Sequence, residues 1–383
     1  MRLILAVTYF AVIMVLAPYL RDTLFVFRRN WFLVALVLMA FVSCLWVETP
    51  TLAFQRSIAV LGTSLLGIAL AVRLTLEEQL RLMNWIFRIM AVLSLACVLF
   101  FPAYGISQLS ESQGEWQGIF NYKNQLGSIM AISILVEWHL PTQTFFSKFA
   151  KWAAILISTV LLYFSNSVTP LVALVATLLI IEIYKFANHR FRVPLYAIVL
   201  VILLLIASGA TVLAIDRGSA TGVLGRSSNL TGRTAIWSMV TSFILERPVL
   251  GYGYAGFWYG SSPQSQAVDQ ALGEPIMYSH NGYLEILLGL GAVGFLFTLI
   301  FLGAGMKRAY YFSERERISE TLWPLAFFLF FLFYNLGECT ILLQDLQWAL
   351  CVSVVAGTDA ALLAPRLHLN QEELLCAPAF ETT

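Results

Sequence analysis

Residues 277–296 read MYSHNGYLEILLGLGAVGFL. A polar pair, His280 and Asn281, stands directly before an apolar run that continues to residue 304. Since about 20 consecutive apolar residues cross a bilayer as a helix, residues 283–304 predict a membrane-spanning helix with a histidine at its entrance. Which face of the membrane that entrance occupies depends on the rest of the chain.

The composition of the whole chain requires a lipid environment. Of 383 residues, 59% are hydrophobic and only 12% are charged, with a mean hydropathy of +0.79. A single water-soluble core cannot hide this much apolar surface. The net charge of +1 and the scattered basic residues give no nucleic-acid-binding surface. The five cysteines lack any Cys-x-x-Cys spacing, so we expect no disulfide framework and no cysteine metal site.

Apolar windows of membrane-spanning length recur along the chain. They predict an all-α, polytopic integral membrane protein with about eleven transmembrane helices, or twelve if one boundary is wrong. The windows are residues 3–20, 31–47, 57–72, 83–101, 126–140, 151–165, 168–186, 194–214, 283–304, 322–337 and 341–363.

Lysine and arginine are concentrated in alternate connecting loops, and such loops face the cytoplasm. Their basic residues are Arg21, Arg28, Arg29, Arg73, Arg81, Lys148, Lys151, Lys185, Arg190, Arg192, Lys307, Arg308, Arg315 and Arg317. This bias puts the amino terminus outside, although Arg2 fits an outward terminus poorly. We therefore predict four regions: N-terminal membrane helices in 1–214, an extracytoplasmic loop with short helices in 215–282, C-terminal membrane helices in 283–364 and a cytoplasmic tail in 365–383.

Ionisable residues inside the windows have a structural interpretation. Arg88, Glu137 and Glu182 are expected near cytoplasmic helix ends, where long side chains reach the interface, and Glu182 can pair with Lys185. His139 is expected to be an interfacial residue as well. This leaves His280 as the histidine that faces outward.

The long outer loop contains candidate phosphate ligands. Helical spacing predicts a helix over Thr234–Glu246 with Arg233 in its first turn, where a cation opposes the helix dipole unless an anion accompanies it. Arg233 is therefore a candidate phosphate ligand, and a general surface charge is the alternative. Arg226 and Arg247 are weaker candidates for the same pocket. For Arg247, an ion pair with the adjacent Glu246 is an equally good explanation. The aromatic and glycine residues of 246–260 indicate either a ligand-binding shelf or an interfacial aromatic belt.

Two further outer segments carry polar groups. In EWQGIFNYKNQLGSIM, residues 115–130, the side chains of Asn121, Lys123 and Asn124 can contact sugar hydroxyls or phosphate, or either asparagine can cap the helix.

The histidine junction has polar neighbours of its own. Asn281 and Glu285 share a helical face beside His280, and Glu338 follows the window 322–337 at the same predicted outer end. For Asn281, helix capping is the favoured interpretation. We group Asn281, Glu285 and Glu338 with the candidate substrate ligands, and His280 is a candidate catalytic residue.

Outer arginines and one outer histidine, without an Asp-x-Asp cluster, indicate a phosphate-bearing substrate handled without a metal or other cofactor. The histidine can act as a base for an acceptor hydroxyl or orient it. Ser–His–Asp hydrolysis is disfavoured because no Gly-x-Ser-x-Gly elbow is present.

Four motifs in order carry a family resemblance over residues from about 115 to 345. They are GIFNYKNQLG, LTGRTAIWSMVTSFILERPVLGYGYAGFW, SHNGYLEILLGLGAVG and NLGECTILL. Together they resemble the O-antigen polymerase and ligase superfamily, in particular its exopolysaccharide-polymerase-like branch. The essential arginine and histidine of that family match Arg233 in GRTAIW and His280 in SHNGYL.

The resemblance implies a membrane glycosyltransferase of the GT-C-like type in the bacterial inner membrane, with its long loop in the periplasm. It implies metal-free, inverting transfer of an undecaprenyl-diphosphate-linked oligosaccharide to a glycan acceptor. Expected partners are the bilayer, chain-length regulator proteins and export proteins. Polymerase and ligase activities both remain open.

A transporter or flippase of lipid-linked glycans is the alternative from another class. Such a protein is expected to have polar groups at mid-membrane and an internal repeat. The chain has neither feature in its sequence pattern, and its polar groups gather at one face. We therefore expect an enzyme rather than a transporter.

Overall fold

A computed structural model describes residues 2–108, 112–191, 229–258, 262–273, 275–316 and 319–375. Over these ranges the regular structure is helical, apart from one isolated antiparallel bridge between Ile106 and Trp116. The α-helices are α1 (Arg2–Leu16), α2 (Leu20–Arg29), α3 (Trp31–Val42), α4 (Pro50–Arg73), α5 (Leu76–Phe100), α6 (Pro102–Gly105), α7 (Lys123–His139), α8 (Phe145–Phe164), α9 (Val168–Phe191), α10 (Asn229–Glu246), α11 (Pro263–Leu272), α12 (Gly282–Glu316), α13 (Ser319–Tyr334) and α14 (Leu346–Leu375).

The apolar windows predicted from the sequence coincide largely with these helices, except window 194–214, which lies outside the described residues. Among the described residues, six helical stretches are long and apolar enough to cross a membrane, and three shorter ones are apolar. The six are Val7–Arg29, Pro50–Arg73, Leu76–Phe100, Phe145–Phe164, Val168–Phe186 and Gly282–Glu314, and the shorter ones are Trp31–Leu45, Thr321–Tyr334 and Leu346–Ala361. The protein is thus an all-α, multi-pass membrane protein, and the count of eleven or twelve helices stays a prediction.

The last helix differs from its prediction at both ends. It begins after Asp345, whose carboxylate accepts the backbone N–H of Trp348 at 2.7 Å and so caps the helix. It also continues to Leu375, so the first part of the predicted tail is helical. The helix continues past Pro365. Propensity favours the rest of the extension, because residues 366–375 contain leucine, glutamate and glutamine but no glycine or proline.

Close helix packing builds the bundle. Helix α7 runs through its centre, with residues 126–137 all buried. Helices α4 and α14 make a close contact at Gly67, where a Cβ atom would lie only 2.4 Å from the carbonyl oxygen of Ala349. Small residues at such a crossing let two membrane helices approach closely, which is how helices associate in lipid.

Of two side chains predicted to be interfacial, Glu137 is instead buried and Arg88 is half-buried. Arg88 lies about 18 Å from the start of α5 at 1.5 Å per residue. Its guanidinium binds both carboxylate oxygens of Glu137, at 2.5 and 2.9 Å, and only 1% of the Glu137 side chain is exposed. The pairing satisfies both charges inside the bundle, so neither has to reach the interface. The predicted pair of Glu182 with Lys185 is confirmed at 2.8 Å.

His139 is also buried rather than interfacial. Its Nδ1 atom lies 2.8 Å from the carbonyl oxygen of Leu135, one turn earlier in α7. The tight packing of α7 explains why the helix end is covered by protein.

At one end of the bundle, Arg29 and Arg308 both bind the carboxylate of Asp359, at 3.0 and 3.3 Å. The two arginines belong to loops that the charge pattern assigns to the same side of the membrane. The contact agrees with that pairing of loops. Which side this end faces stays a prediction.

Most of the segment 247–258 is buried against α12: residues 251–258 are covered, whereas residues 247–250 are exposed. The covered part is therefore not an exposed shelf. Its rings form a core with α10, and Tyr252, Phe257 and Trp258 are each less than 7% exposed. Helix α12 is interrupted at Gly291, where φ is 63°, and the freed backbone pairs with the segment. Ala292 N–H donates to Pro248 and Tyr252 N–H to Leu288, at 2.8 and 2.9 Å.

Candidate active site

The carboxylate of Glu338 joins four segments that are far apart in the sequence. Its Oε1 atom accepts hydrogen bonds from Arg233 in α10, at 3.0 Å, and from Asn124 in the first turn of α7, at 2.8 Å. Its Oε2 atom lies 3.8 Å from Nδ1 of His280, just before α12. Glu338 itself follows α13 and is only 6% exposed as a side chain. The structure thus brings four predicted site residues into one cluster.

Arg233 is held in a fixed position by its neighbours. Its Nη1 donates to Oγ1 of Thr169 at 3.0 Å, and its Nη2 binds Glu338. Gly337 leaves the room for this arrangement, since a Cβ atom there would lie 3.0 Å from Nη1. The prediction that Arg233 lies in the first helical turn is wrong, because α10 begins at Asn229. The sequence suggested a later start because Thr231 and Gly232 are residue types that commonly begin a helix.

The backbone of His280 has an unusual conformation. Its φ is +53°, a left-handed value that side chains other than glycine adopt only at a cost. Its neighbours enforce it: Trp237 Nε1 donates to the carbonyl oxygen of Ser279 at 2.9 Å, and Gly282 N–H lies 2.9 Å from the carbonyl oxygens of Asn335 and Glu338.

The His280 ring has an exposed and a covered side. The side chain is 25% exposed, whereas its Nδ1 atom is buried and has no hydrogen-bond partner among the described residues. The carboxylate of Glu338 is the group that Nδ1 faces. A donor Nδ1–H would leave Nε2 as the acceptor, which is the form a general base requires.

Tyr278 covers the histidine. The centroids of the Tyr278 and His280 rings are 4.2 Å apart. Burial raises the pKa of Tyr278 well above its ordinary value, and the nearby Glu338 carboxylate raises it further. The phenol therefore stays protonated and is available as a hydrogen-bond donor.

Other predicted ligands have structural partners. The Asn281 side chain accepts the N–H groups of Tyr283 and Leu284 at 3.0 and 3.2 Å, so the capping interpretation is confirmed. Glu285 accepts from Ser279 N–H and Trp258 Nε1, at 3.0 and 3.1 Å, which ties the histidine loop to segment 247–258.

The remaining candidates that the structure describes, Lys123, Asn121 and Arg247, make no hydrogen bond or ion pair with Glu338. Lys123 pairs with Glu115 at 2.5 Å, and Asn121 lines a neighbouring surface depression. Arg247 stacks over the Tyr252 ring at 4.5 Å, at the opposite end of α10 and about 21 Å from Arg233 along the helix. Arg226 lies outside the described residues. Capping by Asn124 or Asn121 is wrong, since Tyr122 precedes α7 without a side-chain cap.

Sequence reasoning missed three contributors: Ser167, Thr169 and Tyr278. Ser167 donates to Asn124 Oδ1 at 2.8 Å, which turns the Asn124 amide toward Glu338. The signal for Ser167 and Thr169 was the short polar stretch SNSVTP, residues 165–170, at the predicted outer start of a membrane window. Among the described residues, no group of three His, Cys, Asp or Glu side chains is placed to hold a metal ion.

Comparison with known proteins places this cluster in context. Residues 153–299 match the family model described as O-antigen ligase. The resemblance predicted from the four motifs is thereby confirmed. The O-antigen ligase match includes both Arg233 and His280 but ends before Glu338 and begins after Asn124.

Two curated proteins match shorter stretches. A Rickettsia conorii protein named "putative polysaccharide ligase" is 28% identical over 120 residues, which are 30% of this chain and 28% of that protein. The exopolysaccharide production protein ExoQ of Rhizobium meliloti is 25% identical over 112 residues, 28% of this chain and 25% of that protein. The matches thus span about a quarter of the length of these relatives. The chain is therefore similar, over these stretches, to an O-antigen ligase family model, a polysaccharide ligase and an exopolysaccharide production protein.

Proposed function

We propose that the protein is a membrane glycosyltransferase that joins undecaprenyl-diphosphate-linked oligosaccharide repeats into exopolysaccharide or O-antigen. The reaction takes place at the outer face of the bacterial inner membrane. The observation that carries this proposal is the convergence of Arg233, His280 and Asn124 on Glu338 at the loop ends of membrane helices. A lipid-borne diphosphate at headgroup depth and a hydroxyl from water can meet at such a place.

In this proposal Arg233 stabilises the diphosphate. A guanidinium stays charged and donates two parallel hydrogen bonds to phosphate oxygens. Its present partners, Thr169 and Glu338, hold the fork in place before substrate arrives. The charge that develops on the leaving diphosphate is then met by a preorganised cation, without a metal ion.

His280 takes the proton. The acceptor hydroxyl oxygen attacks the anomeric carbon, the bond from that carbon to the diphosphate oxygen breaks, and the configuration inverts. The hydroxyl proton moves to Nε2 of His280, and undecaprenyl diphosphate leaves with the electron pair beside Arg233. Glu338 stabilises the imidazolium through the Nδ1 side, where the two groups are 3.8 Å apart.

Ligation to another acceptor is the second candidate. The family description and the name of the Rickettsia relative both contain the word ligase. The same donor chemistry serves both reactions, because only the acceptor hydroxyl differs.

The structure removes one of the arguments against a transporter. Arg88 lies in the middle of α5 and pairs with the buried Glu137, so the argument that ionisable residues occur only at helix ends does not hold for Arg88. What favours an enzyme is the clustering of Arg233, His280 and Glu338 at a single loop face.

Reconstitution tests the proposal directly. Purified protein in proteoliposomes is given lipid-linked repeats extracted from a host in which the gene is deleted, with excess chelator present. We expect longer saccharide chains on a gel. Chains that form only after another acceptor is added would identify a ligase, and chains that need added Mg²⁺ or Mn²⁺ would contradict the metal-free step. Movement of labelled lipid across the bilayer without chain joining would identify a transporter.

A further inference from the structure

A surface depression of about 530 Å³ lies next to the Glu338 cluster, between α6 and the start of α7. We propose that it binds the saccharide carried by the lipid-linked substrate, an inference that rests on the proposed function. Its lining residues are Ala103, Ser107, Gln108, Gln117, Asn121 and Tyr122.

The chemistry of the lining suits a neutral polyol. All six lining residues are uncharged, and Lys123 and Glu115, charged residues from the described part of the same loop and helix start, neutralise each other in an ion pair at 2.5 Å. Side-chain amides and hydroxyls can both donate to and accept from sugar hydroxyl groups. A diphosphate would find no guanidinium in the lining, whereas Arg233 offers one at the neighbouring cluster.

The depression has a rigid frame. Gln117 Nε2 donates to the carbonyl oxygen of Tyr104 at 2.9 Å, and the N–H groups of Gln117 and Gly118 donate to Gly105 at 2.9 and 3.0 Å. By contrast, the Asn121 side chain makes no hydrogen bond to any described residue and is exposed. A fixed frame beside the unengaged amide of Asn121 binds a ligand with little ordering cost.

Position connects the depression to the reaction centre. Tyr122, at its edge, is 61% exposed and lies close enough to Tyr278 to contribute to the raised pKa of that phenol. Asn124, two residues further on, binds Glu338. On the other side, the exposed rings of Phe100 and Phe101 suit the membrane interface. A lipid diphosphate at Arg233 would therefore carry its first sugars past Tyr122, whose ring can pack on a sugar face.

Binding measurements on the purified full-length protein in detergent test this assignment. The probes are lipid-linked repeats from the deletion host, bare undecaprenyl diphosphate, and the free saccharide released from the same repeats by mild acid. We expect Asn121→Ala and Tyr122→Ala each to weaken binding of the lipid-linked repeats by about three- to tenfold, the value of one or two neutral contacts. Binding of bare undecaprenyl diphosphate should change less than twofold.

Two control variants test whether a loss of binding is specific to the lining of the depression. Gln113→Ala removes an exposed amide from the same loop but not from the lining, and Tyr163→Ala removes an exposed tyrosine at the end of α8. Both should bind all probes like the unmodified protein.

The outcomes distinguish the two proposals. If Asn121→Ala and Tyr122→Ala bind the lipid-linked repeats like the controls, the saccharide assignment is wrong while the proposed function stands. If the unmodified protein binds neither lipid probe, the proposed function fails and the inference fails with it. Free saccharide that binds as tightly as the lipid-linked form would overturn the assignment to the lipid-borne glycan.

Discussion

At the scale of single residues, the two carboxylate oxygen atoms of Glu338 face different candidate catalytic groups. Oε1 accepts from Arg233 and Asn124, whereas Oε2 faces His280. A buried carboxylate costs free energy unless it is paired, and here the pairing also fixes both candidate catalytic groups. The anionic partner keeps the guanidinium oriented until a diphosphate competes for it.

The first prediction concerns Arg233. We expect Arg233→Lys and Arg233→Ala both to lower the rate of chain joining by about 100- to 1,000-fold, since an ammonium cannot bind Thr169, Glu338 and a diphosphate with a planar fork. Initial rates in proteoliposomes measure the loss. Arg247→Lys, at the far end of α10, is the matched control and should retain the rate. A fully active Arg233→Lys protein would mean that only a positive charge is needed.

The second prediction separates the chemistry of His280 from its backbone strain. Asparagine tolerates a positive φ better than alanine, so His280→Asn should fold more stably than His280→Ala. Both should lose about 100- to 10,000-fold in rate, because neither can take a proton. Rates are measured beside thermal unfolding in detergent. If His280→Asn keeps the unmodified rate, His280 shapes the loop and is not the base.

At the scale of helices and loops, the broken helix α12 supports the site. The interruption at Gly291 frees backbone groups that bind segment 247–258, and Glu285 then connects this segment to the histidine loop. Irregular backbone is tolerated there because Gly291 is itself buried and the N–H groups that follow it bind carbonyl oxygens of segment 247–258.

The third prediction tests this support. At Gly291 a Cβ atom would lie 2.2 Å from the Val249 carbonyl oxygen, and the backbone has φ 63° and ψ −164°, a region that glycine occupies almost alone. Gly291→Ala should therefore destabilise the fold by more than about 1–3 kcal/mol. Gly303→Ala in the same helix meets nothing within 4 Å and should be neutral or slightly stabilising. Equal thermal unfolding midpoints would contradict the packing of segment 247–258.

The sequence predicted much of the helical architecture but little of the loop packing. Arg233, His280, Asn124 and Glu338 could be grouped in advance because the ends of membrane helices lie at similar depth. The hydrogen-bond partners of these residues could not be predicted. A bond such as that of Arg233 to Thr169 depends on how the helices are ordered around the bundle. The burial of segment 247–258 depends on positive-φ glycines and a helix break that hydropathy does not report.

At the scale of the whole molecule, ionic contacts sort the loops into two ends. Arg29, Arg308 and Asp359 meet at one end, and the Glu338 cluster joins loop ends that the charge pattern assigns to the other. Contacts of this kind establish which loops share an end. The excess of lysine and arginine predicts which end faces the cytoplasm.

The last prediction decides the compartment, and with it the reaction. Ala267 lies exposed on α11, and Gln143 lies exposed in the loop between α7 and α8. In a protein whose five native cysteines are replaced by alanine, Ala267→Cys should react with a membrane-impermeant thiol reagent in intact spheroplasts. Gln143→Cys should react only after lysis, because its loop belongs to the lysine-rich set. The reverse labelling would put His280 in the cytoplasm, where lipid-linked repeats are still being assembled, and would exclude chain joining at the outer face.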